Sequence, residues 1–238
     1  SAKTTKENLD KMKELILELI LNSDFSSKQR INEIEKNIGN AKLMVVSKTR
    51  TVEEIMVAYE AGARLFGENH VQEIVEKFSA PRPEDMELHM IGHLQSNKVG
   101  KVVPLVDMIE SVDSLELLRK INNAAEKNKK VMKVLLEYNT SNEETKSGFS
   151  CRDALFECLD KVKDLKSIKV CGLMTVGPVN CDISFKETLT DAAFKELVSI
   201  QSECRKRYPL LDFGILSMGM SRDYMIGVKN GSTEVRIG

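Results

Sequence analysis

The sequence predicts an α/β fold, a single (β/α)8 barrel of the TIM type with extra helices before it. Eight short apolar segments, each a predicted strand, alternate with segments that have helical spacing. The 238 residues suffice for one such barrel, and 42% hydrophobic residues can fill a sizeable core. Polar, mostly glycine-containing loops follow five of the predicted strands, so the barrel would gather them at one mouth, where sites are built in this fold. The regular alternation disfavours an open doubly wound sheet.

Each element follows from its local pattern. The predicted strands cover residues 43–46, 64–66, 88–91, 108–110, 132–138, 168–173, 213–216 and 234–237. The predicted helices between them cover residues 51–59, 71–78, 96–103, 114–127, 151–162, 190–208 and 223–229. Thr51 and Glu54 have the spacing of a capping box, which marks the start of the first of these helices. Residues 81–85 and 180–186 are polar, and we expect loops there, the second one flexible.

The N-terminal segment is predicted to add two helices. Apolar residues share one helical face at Leu9, Met12, Leu15, Ile16, Leu19 and Ile20, and again at Ile31, Ile34 and Ile38. We expect residues 1–40 to pack as helices on a barrel formed by residues 41–238, so that the chain is one domain overall. Ordinary core packing explains the apolar stripe better than a surface for a partner.

Composition excludes several classes of function. A net charge of -1 disfavours binding to nucleic acid or to an anionic membrane surface. The longest early apolar stretch, residues 15–21, contains Glu18, which excludes a spanning helix and argues against a signal peptide. The five cysteines form no C-x-x-C pair, and the three histidines are scattered, so a metal site is not expected. We therefore expect reduced thiols in a cytoplasmic protein.

Lys48 is the first candidate functional residue, because it follows the first predicted strand directly. Two interpretations remain open at this point. It could be a solvated lysine at a strand end, which position alone favours in a chain with 35 lysines and arginines. It could instead be a Schiff-base lysine, whose amine must be desolvated or placed near other cations to become a neutral nucleophile.

The segment from Ser217 to Ser221 is a candidate phosphate site. Its sequence, Ser-Met-Gly-Met-Ser, is predicted to join the seventh strand to a short helix, where backbone N–H groups and hydroxyls can bind an anion. Many barrels bind phosphate after strands 7 and 8. The alternative is that Ser221 only caps the helix.

Arg236 is predicted to face the barrel interior, because its neighbours Val235 and Ile237 would face the helices. A buried arginine needs a partner, which could be a cofactor atom or a carboxylate such as Glu234 or Glu137. Both His89 and His93 lie around the end of the third strand, and His93 is the better catalytic candidate because it follows the strand end. His70 is expected on a helix surface.

Seven segments together resemble the pyridoxal 5'-phosphate homeostasis protein family, also called the proline synthetase co-transcribed family. They are residues 45–49, 66–73, 89–98, 111–114, 172–175, 216–221 and 231–238. The resemblance runs from about residue 40 to the end of the chain. Two differences from the family pattern stand out: Leu88 occupies the position of a tryptophan, and the chain stops at Gly238 where the family continues.

The resemblance implies a fold like the N-terminal barrel of alanine racemase, with pyridoxal 5'-phosphate (PLP) in a Schiff base to Lys48. It also implies that Asn69 lies near the cofactor ring, and it makes Arg236 a candidate for a position beside the ring nitrogen. The implied phosphate-binding residues are Ser217, Met218, Gly219 and Ser221, together with the backbone around Arg236 and Gly238.

The implied function is PLP binding for intracellular vitamin B6 homeostasis and cofactor supply, by a monomer that serves recipient PLP-dependent enzymes. The alternative is a single-domain PLP-dependent racemase or a related amino-acid enzyme. Racemisation needs a base on each face of the substrate carbanion, and racemases supply one from a second, β-rich domain. We expect little catalysis, because this chain is expected to lack that domain and only Tyr138 and His93 could substitute for the missing base.

Overall fold

The computed structural model describes residues 28–141, 143, 145–178 and 183–238, and it forms a closed parallel barrel. Each strand pairs with the next one in sequence, and β8 pairs with β1. The strands are β1 (Lys42–Val46), β2 (Leu65–Glu68), β3 (Glu87–Met90), β4 (Met108–Val112), β5 (Met132–Glu137), β6 (Ile168–Met174), β7 (Ile215–Met220) and β8 (Glu234–Ile237). The predicted barrel is therefore confirmed.

Helices lie on the outside of the barrel: the first precedes β1, and each of the others connects two consecutive strands. They are α1 (Lys28–Ile38), α2 (Val52–Glu60), α3 (Val71–Phe78), α4 (Val99–Val102, after a 3-10 turn at Ser96–Lys98), α5 (Leu115–Lys127), α6 (Arg152–Val162), α7 (Ile183–Arg207) and α8 (Tyr224–Lys229). The predicted capping box begins α2, since Thr51 N donates to Glu54 Oε2 at 2.8 Å and Glu54 N donates to Thr51 Oγ1 at 3.3 Å. Within the described ranges, no helix has the length and apolar character needed to cross a bilayer.

Helix α1 confirms the second of the two predicted N-terminal helices. Its buried Ile34 and Ile38 pack against Val235 and Ile237 of β8, so α1 is docked on the outer face of the barrel. The first predicted helix, residues 9–20, lies outside the described residues. The division of the chain at residue 40 stays a prediction.

Some predicted boundaries are wrong, and three of them change the type of element. Strand β7 extends to Met220, so most of the predicted phosphate loop is strand, because pairing with β8 overrides the turn character of its serine and glycine. The predicted helix over residues 96–103 is a 3-10 turn followed by the short α4, as is frequent at helix starts. Helix α7 begins at Ile183, so residues 183–186, expected to be a flexible loop, are helical.

The core has two layers with different chemistry. The layer between strands and helices is apolar, and outward residues such as Leu88, Met90 and Leu216 belong to its main cluster. Because successive side chains of a strand point to opposite faces, the residues between these outward ones point into the barrel. Part of that interior is apolar, with the cluster Met108, Leu135, Cys171 and Met174. Another part is polar and buried, with His89, Glu110, Ser217, Glu234 and Arg236.

Candidate functional site

The candidate site lies where the carboxyl ends of β7, β8, β1 and β2 meet. These four strands are neighbours in the closed barrel. Ser221 Oγ donates to Gly238 O at 3.0 Å, which joins the ends of β7 and β8. Gly238 lies so close to β1 that a Cβ there would be 2.6 Å from Val46 Cβ. The structure therefore gathers the predicted residues Lys48, Asn69, Ser221 and Gly238 on adjacent strand ends.

Lys48 is exposed in the turn that follows β1. Arg50 N donates to Ser47 O at 3.1 Å and closes this turn. The next residue, Thr49, has a φ of 63°, which is rare for a β-branched residue. The residue is exposed, and exposure by itself fits both a solvated lysine and a nucleophile without its ligand.

Asn69 directly follows β2 and carries an unsatisfied group. Its Oδ1 is buried and has no hydrogen-bond partner among the described residues. A buried acceptor without a donor is costly, so this atom fits a ligand that brings an N–H or O–H group. Beside it lies a cleft of about 330 Å³ whose lining includes Gln72, His93 and Lys98.

Glycines shape the end of β7. Gly219 has a φ of 98° and lies where the β7–β8 register shifts, so the strand bulges there. A Cβ on Gly227 in α8 would be 2.7 Å from Met218 O, so α8 can approach β7 only because position 227 is glycine. Met220 N donates to Asp223 Oδ1 at 2.6 Å, and burial raises the pKa of Asp223. The Met220 N–H is therefore already paired.

Arg236 faces the barrel interior, as predicted. Its Nη1 donates to Ser217 Oγ at 2.6 Å and its Nη2 donates to Thr175 O at 2.8 Å. Its hydrogen-bond partners in the described part of the chain are thus a hydroxyl and a carbonyl, rather than the carboxylates of Glu234 or Glu137.

Ser217 and Met218 have environments that differ from those expected of phosphate ligands. The Ser217 hydroxyl is fully buried one layer below the mouth, where it donates to Glu110 Oε2 at 2.6 Å and accepts from Arg236. The Met218 side chain faces the helices in the main apolar cluster. Of the residues predicted in this segment, Ser221 is the one whose side chain reaches the mouth.

Comparison with known proteins was decisive for the family. The alanine racemase N-terminal domain model matches residues 26–238. A protein from Pasteurella multocida named pyridoxal phosphate homeostasis protein is 34% identical over 223 residues, which cover 88% of this chain and 94% of that protein. A protein of the same name from Aquifex aeolicus is 38% identical over 200 residues, covering 83% of this chain and 84% of that one. The chain belongs to the pyridoxal phosphate homeostasis protein family.

A solved structure agrees with this family assignment. PipY from Synechococcus elongatus PCC7942 superposes with a TM-score of 0.83 without PLP, at 31% identity, and 0.79 with PLP bound, at 30% identity. Each comparison covers 89% of this chain and 97% of PipY. The resemblance carried by the seven sequence segments is therefore confirmed.

Sequence reasoning missed a buried ionic cluster inside this family member's barrel. The cluster consists of His89, Glu110 and Glu234, and His89 Nδ1 lies 2.6 Å from Glu110 Oε1. His89 Nε2 lies 3.2 Å from Glu87 Oε1 without the alignment of a hydrogen bond. The two buried carboxylates face one histidine, so the charge on His89 decides the charge of the whole cluster.

The cluster keeps its histidine protonated. Burial by itself would lower the pKa of His89, but the hydrogen bond to Glu110 and the nearby Glu87 carboxylate raise it to about 10. Burial favours the neutral form of Glu110, yet the hydrogen bond with His89 lowers the pKa of that carboxyl. Burial, and then the charge of Glu110, raises the pKa of Glu234 well above its usual value. A histidinium, a carboxylate and a neutral carboxylic acid result.

A sequence signal for this cluster did exist. In β8, Glu234 and Arg236 are two residues apart and therefore point to the same side of the strand. Strand β3 supplies His89 between the outward Leu88 and Met90, and β4 supplies Glu110 directly after the outward Ile109. Alternation alone could thus have placed all four inside the barrel, although it could not have shown which of them pair.

The two candidate proton donors of the sequence analysis are not equivalent. Tyr138 is buried in the outer apolar cluster, so its expected place in the mouth is wrong. His93 is exposed at the mouth, with Nδ1 3.4 Å from Asp113 Oδ2 and 3.2 Å from Ser147 Oγ. Both contacts involve the same ring nitrogen, so they do not form a serine–histidine–aspartate relay. His70 is exposed at the start of α3, on the surface as expected.

Proposed function

We propose that this chain binds PLP at the mouth formed by β7, β8, β1 and β2, and that it serves PLP homeostasis by holding and releasing the cofactor. The observation that carries the proposal is the convergence of Lys48, Asn69, Ser221 and Gly238 on four neighbouring strand ends. Relatives named for PLP homeostasis and a PLP-bound structure of PipY support the choice of ligand.

The residues present fit this cofactor. Asn69 Oδ1 is a buried acceptor that lacks a donor, as the contact with a polar ring substituent requires. A Cβ on Gly238 would lie 2.6 Å from Val46 Cβ, so only glycine lets the end of β8 lie this close to β1 and to Ser221. Gly238 N donates to Ser221 Oγ at 3.2 Å, so the hydroxyl and this N–H lie side by side, and rotation of the hydroxyl leaves both able to donate to a phosphate oxygen. Ser217 and Arg236 lie deeper in the barrel, beneath these residues, and are hydrogen-bonded to each other there.

Lys48 supplies the covalent attachment in the proposal. PLP contributes an aldehyde, whose carbon forms a C=N bond with the Lys48 amine while the C=O bond breaks and the oxygen leaves as water. For this step Lys48 must give up its proton to solvent and place Nζ at the aldehyde carbon. Its exposure in the turn after β1 allows both.

Replacement of Lys48 tests the attachment. The Lys48→Ala variant is expected to lose the yellow absorbance of the bound cofactor and to incorporate no PLP after borohydride reduction, because no amine remains at that position. Peptide mapping of the reduced wild-type protein should find the adduct on Lys48. Lys101→Ala, which removes an exposed lysine from α4, is the matched control and should bind normally. Covalent trapping in Lys48→Ala would refute the assignment.

A racemase is the second candidate function, because the matching family model is that of the alanine racemase N-terminal domain. Lys48 can act as a base on one face of a substrate, but Tyr138 is buried and His93 has no relay partner at its second nitrogen within the described residues. Loss of one proton-transfer group costs about 10²- to 10⁴-fold in rate. We therefore expect at most trace racemisation by this chain.

Proton exchange separates the two candidates. The holoprotein is incubated with L-alanine in deuterated water, and α-deuterium incorporation and D-alanine are both measured. We expect far less than the 1–10³ turnovers per second that are roughly typical of enzymes. Turnover within that range would replace the carrier hypothesis by the racemase hypothesis.

We also propose an oligomeric state, a class of partner and a cellular compartment for this chain. The chain acts as a monomer that delivers PLP to recipient PLP-dependent enzymes, and light scattering should then give a mass near 26.8 kDa. Reactivation of an apo-enzyme by the holoprotein, faster than by the free PLP it releases, would identify a recipient. The four described cysteines, Cys151, Cys158, Cys171 and Cys204, are free thiols, which supports a reducing compartment such as the cytosol.

A further inference from the structure

The turn that carries Lys48 has an unfavourable backbone conformation. Thr49 has a φ of 63°, a region that β-branched residues rarely occupy. Such a conformation persists only where surrounding contacts hold it. The contacts that hold this turn come from helix α3, which lies beside β2.

Glu73 holds the residue after Lys48. Thr49 N donates to Glu73 Oε2 at 2.7 Å, which is the length of a charge-assisted hydrogen bond. Burial favours the neutral form of this carboxyl, but the hydrogen bonds from Lys77 and Thr49 N lower the pKa of Glu73. Glu73 is therefore an anion that can hold the N–H of Thr49.

Lys77 holds the residue before Lys48. Its Nζ donates to Ser47 O at 3.0 Å, to Glu68 Oε1 at 3.0 Å and to Glu73 Oε2 at 2.6 Å. The Lys77 side chain is only 11% exposed, so these contacts are shielded from water.

Ser47 is also held by strand β2. Its Oγ donates to Glu68 Oε1 at 2.7 Å and its N donates to Gly67 O at 2.9 Å. Glu68 is completely buried, which raises its pKa, while the hydrogen bonds from Ser47 and Lys77 act against that rise. The Lys77 ammonium group thus binds Ser47, Glu68 and Glu73. Ser47 precedes Lys48, and Glu73 binds Thr49, so the backbone is held on both sides of Lys48.

We propose that Glu73 and Lys77 are positioning residues that fix the backbone on both sides of Lys48, so that its side chain enters the barrel mouth from a defined Cα position. This inference rests on the proposed attachment of PLP to Lys48. The Lys48 side chain has four rotatable bonds. A fixed Cα position restricts the positions that Nζ can occupy, so that the amine reaches the aldehyde carbon more often. Displacements of about 1 Å at such positions can cost about 10²-fold in rate.

Four variants test the proposal. Glu73→Ala removes the acceptor of Thr49 N, Lys77→Met removes the donor to Ser47 O, and Glu73→Gln keeps an oxygen that can still accept from Thr49 N. The control is Glu76→Ala, which removes an exposed carboxylate from the same helix. Each variant is compared with wild-type protein in cofactor-free form and during loading with PLP.

Amide hydrogen exchange in the cofactor-free proteins is the first measurement. We expect the segment 47–50 to exchange faster by roughly tenfold or more in Glu73→Ala and Lys77→Met, with a smaller effect in Glu73→Gln and none in Glu76→Ala. Unchanged exchange in Glu73→Ala and Lys77→Met would overturn the proposal without any reference to PLP.

The rate of PLP incorporation is the second measurement, with affinity for pyridoxine 5'-phosphate as its internal control. This analogue has no aldehyde, so its binding reports the mouth without Lys48. We expect incorporation to slow by about tenfold to 10²-fold in Glu73→Ala and Lys77→Met, while affinity for the analogue is unchanged. A parallel loss of both would indicate general damage to the mouth and overturn the positioning role.

Coupling between Thr49 and Glu73 is the third measurement. Glycine tolerates a positive φ, so Thr49→Gly should reduce the need for the Glu73 contact. In the Thr49→Gly background, Glu73→Ala should slow incorporation less than it does alone, whereas fully additive effects would contradict the proposal. If wild-type protein attaches no PLP to Lys48, the proposed function fails, and hydrogen exchange alone decides whether the two residues hold the turn.

Discussion

At the scale of single residues, Ser217 and Ser221 show that two identical side chains in one motif have different environments. The hydroxyl of Ser217 is fully buried and connects Glu110 to Arg236. The hydroxyl of Ser221 lies at the mouth beside Gly238. Their separation by four residues, across the Gly219 bulge, takes the chain from the barrel interior to the rim.

Substitution of Ser221 is therefore expected to affect PLP binding, and substitution of Ser217 is expected to affect stability. Ser221→Ala should weaken PLP binding by about tenfold, as expected for a lost hydrogen bond to a charged group, and leave the unfolding free energy within about 0.5 kcal/mol. Ser217→Ala should lower the unfolding free energy by about 1–3 kcal/mol, because it leaves buried polar atoms unpaired. Urea unfolding and PLP titration measure the two effects. Equal loss of affinity for pyridoxal in Ser221→Ala would contradict a phosphate contact.

At the scale of elements, the short helix α8 owes its position to close contact with β7. Gly227 lies over Met218 O, and Gly219 lies under Tyr224. Without side chains at these two glycines, the helix and the strand can approach closely, and that approach brings Ser221 to the mouth. Most of the loop expected over residues 217–221 is strand instead, because its pairing with β8 and its contact with α8 are tertiary.

The two helical glycines Gly227 and Gly100 provide a matched test. Gly227→Ala should lower the unfolding free energy by about 1–3 kcal/mol, because its Cβ would overlap Met218 O and push α8 away. It should also weaken PLP binding through displacement of Ser221. Gly100→Ala in α4 has nothing within 4 Å of its Cβ and should raise stability by up to about 1 kcal/mol. A stabilising Gly227→Ala would contradict the tight contact seen here.

At the scale of the whole molecule, the barrel encloses a charged cluster in place of a purely apolar filling. His89 shares the interior with Glu110 and Glu234, and all three are buried. Folding must therefore retain a proton on His89 that the unfolded chain releases above pH 6.5 or so. This linkage makes global stability depend on pH.

The unfolding free energy is accordingly expected to fall as pH rises. The folded-state pKa of His89 is raised to about 10, so its contribution is complete below about pH 6.5 and is lost progressively as pH approaches 10. The raised pKa of Glu234 acts in the same direction. Between pH 6.5 and 8 the loss should be at least about 1–2 kcal/mol in urea unfolding experiments.

Histidine NMR checks the origin of this pH dependence. The His89 ring should remain protonated at pH 8 in the folded protein. His70→Asn, which changes an exposed histidine, should leave the slope of stability against pH unchanged. A neutral His89 ring at pH 8, or stability that does not change over this range, would contradict the assigned protonation state.

The sequence by itself determined the barrel, because periodicity of two in strands and of 3.6 in helices is a local property that can be counted. It also indicated the inward direction of Arg236 and the strand-end positions of Lys48 and Asn69, since both follow from alternation and chain order. The tertiary structure alone decided which polar side chains pair. Glu73 and Lys77 are remote from Lys48 in sequence, and Ser217 meets Glu110 across the barrel interior. Such contacts depend on distances between strands and helices, which no pattern within one segment contains.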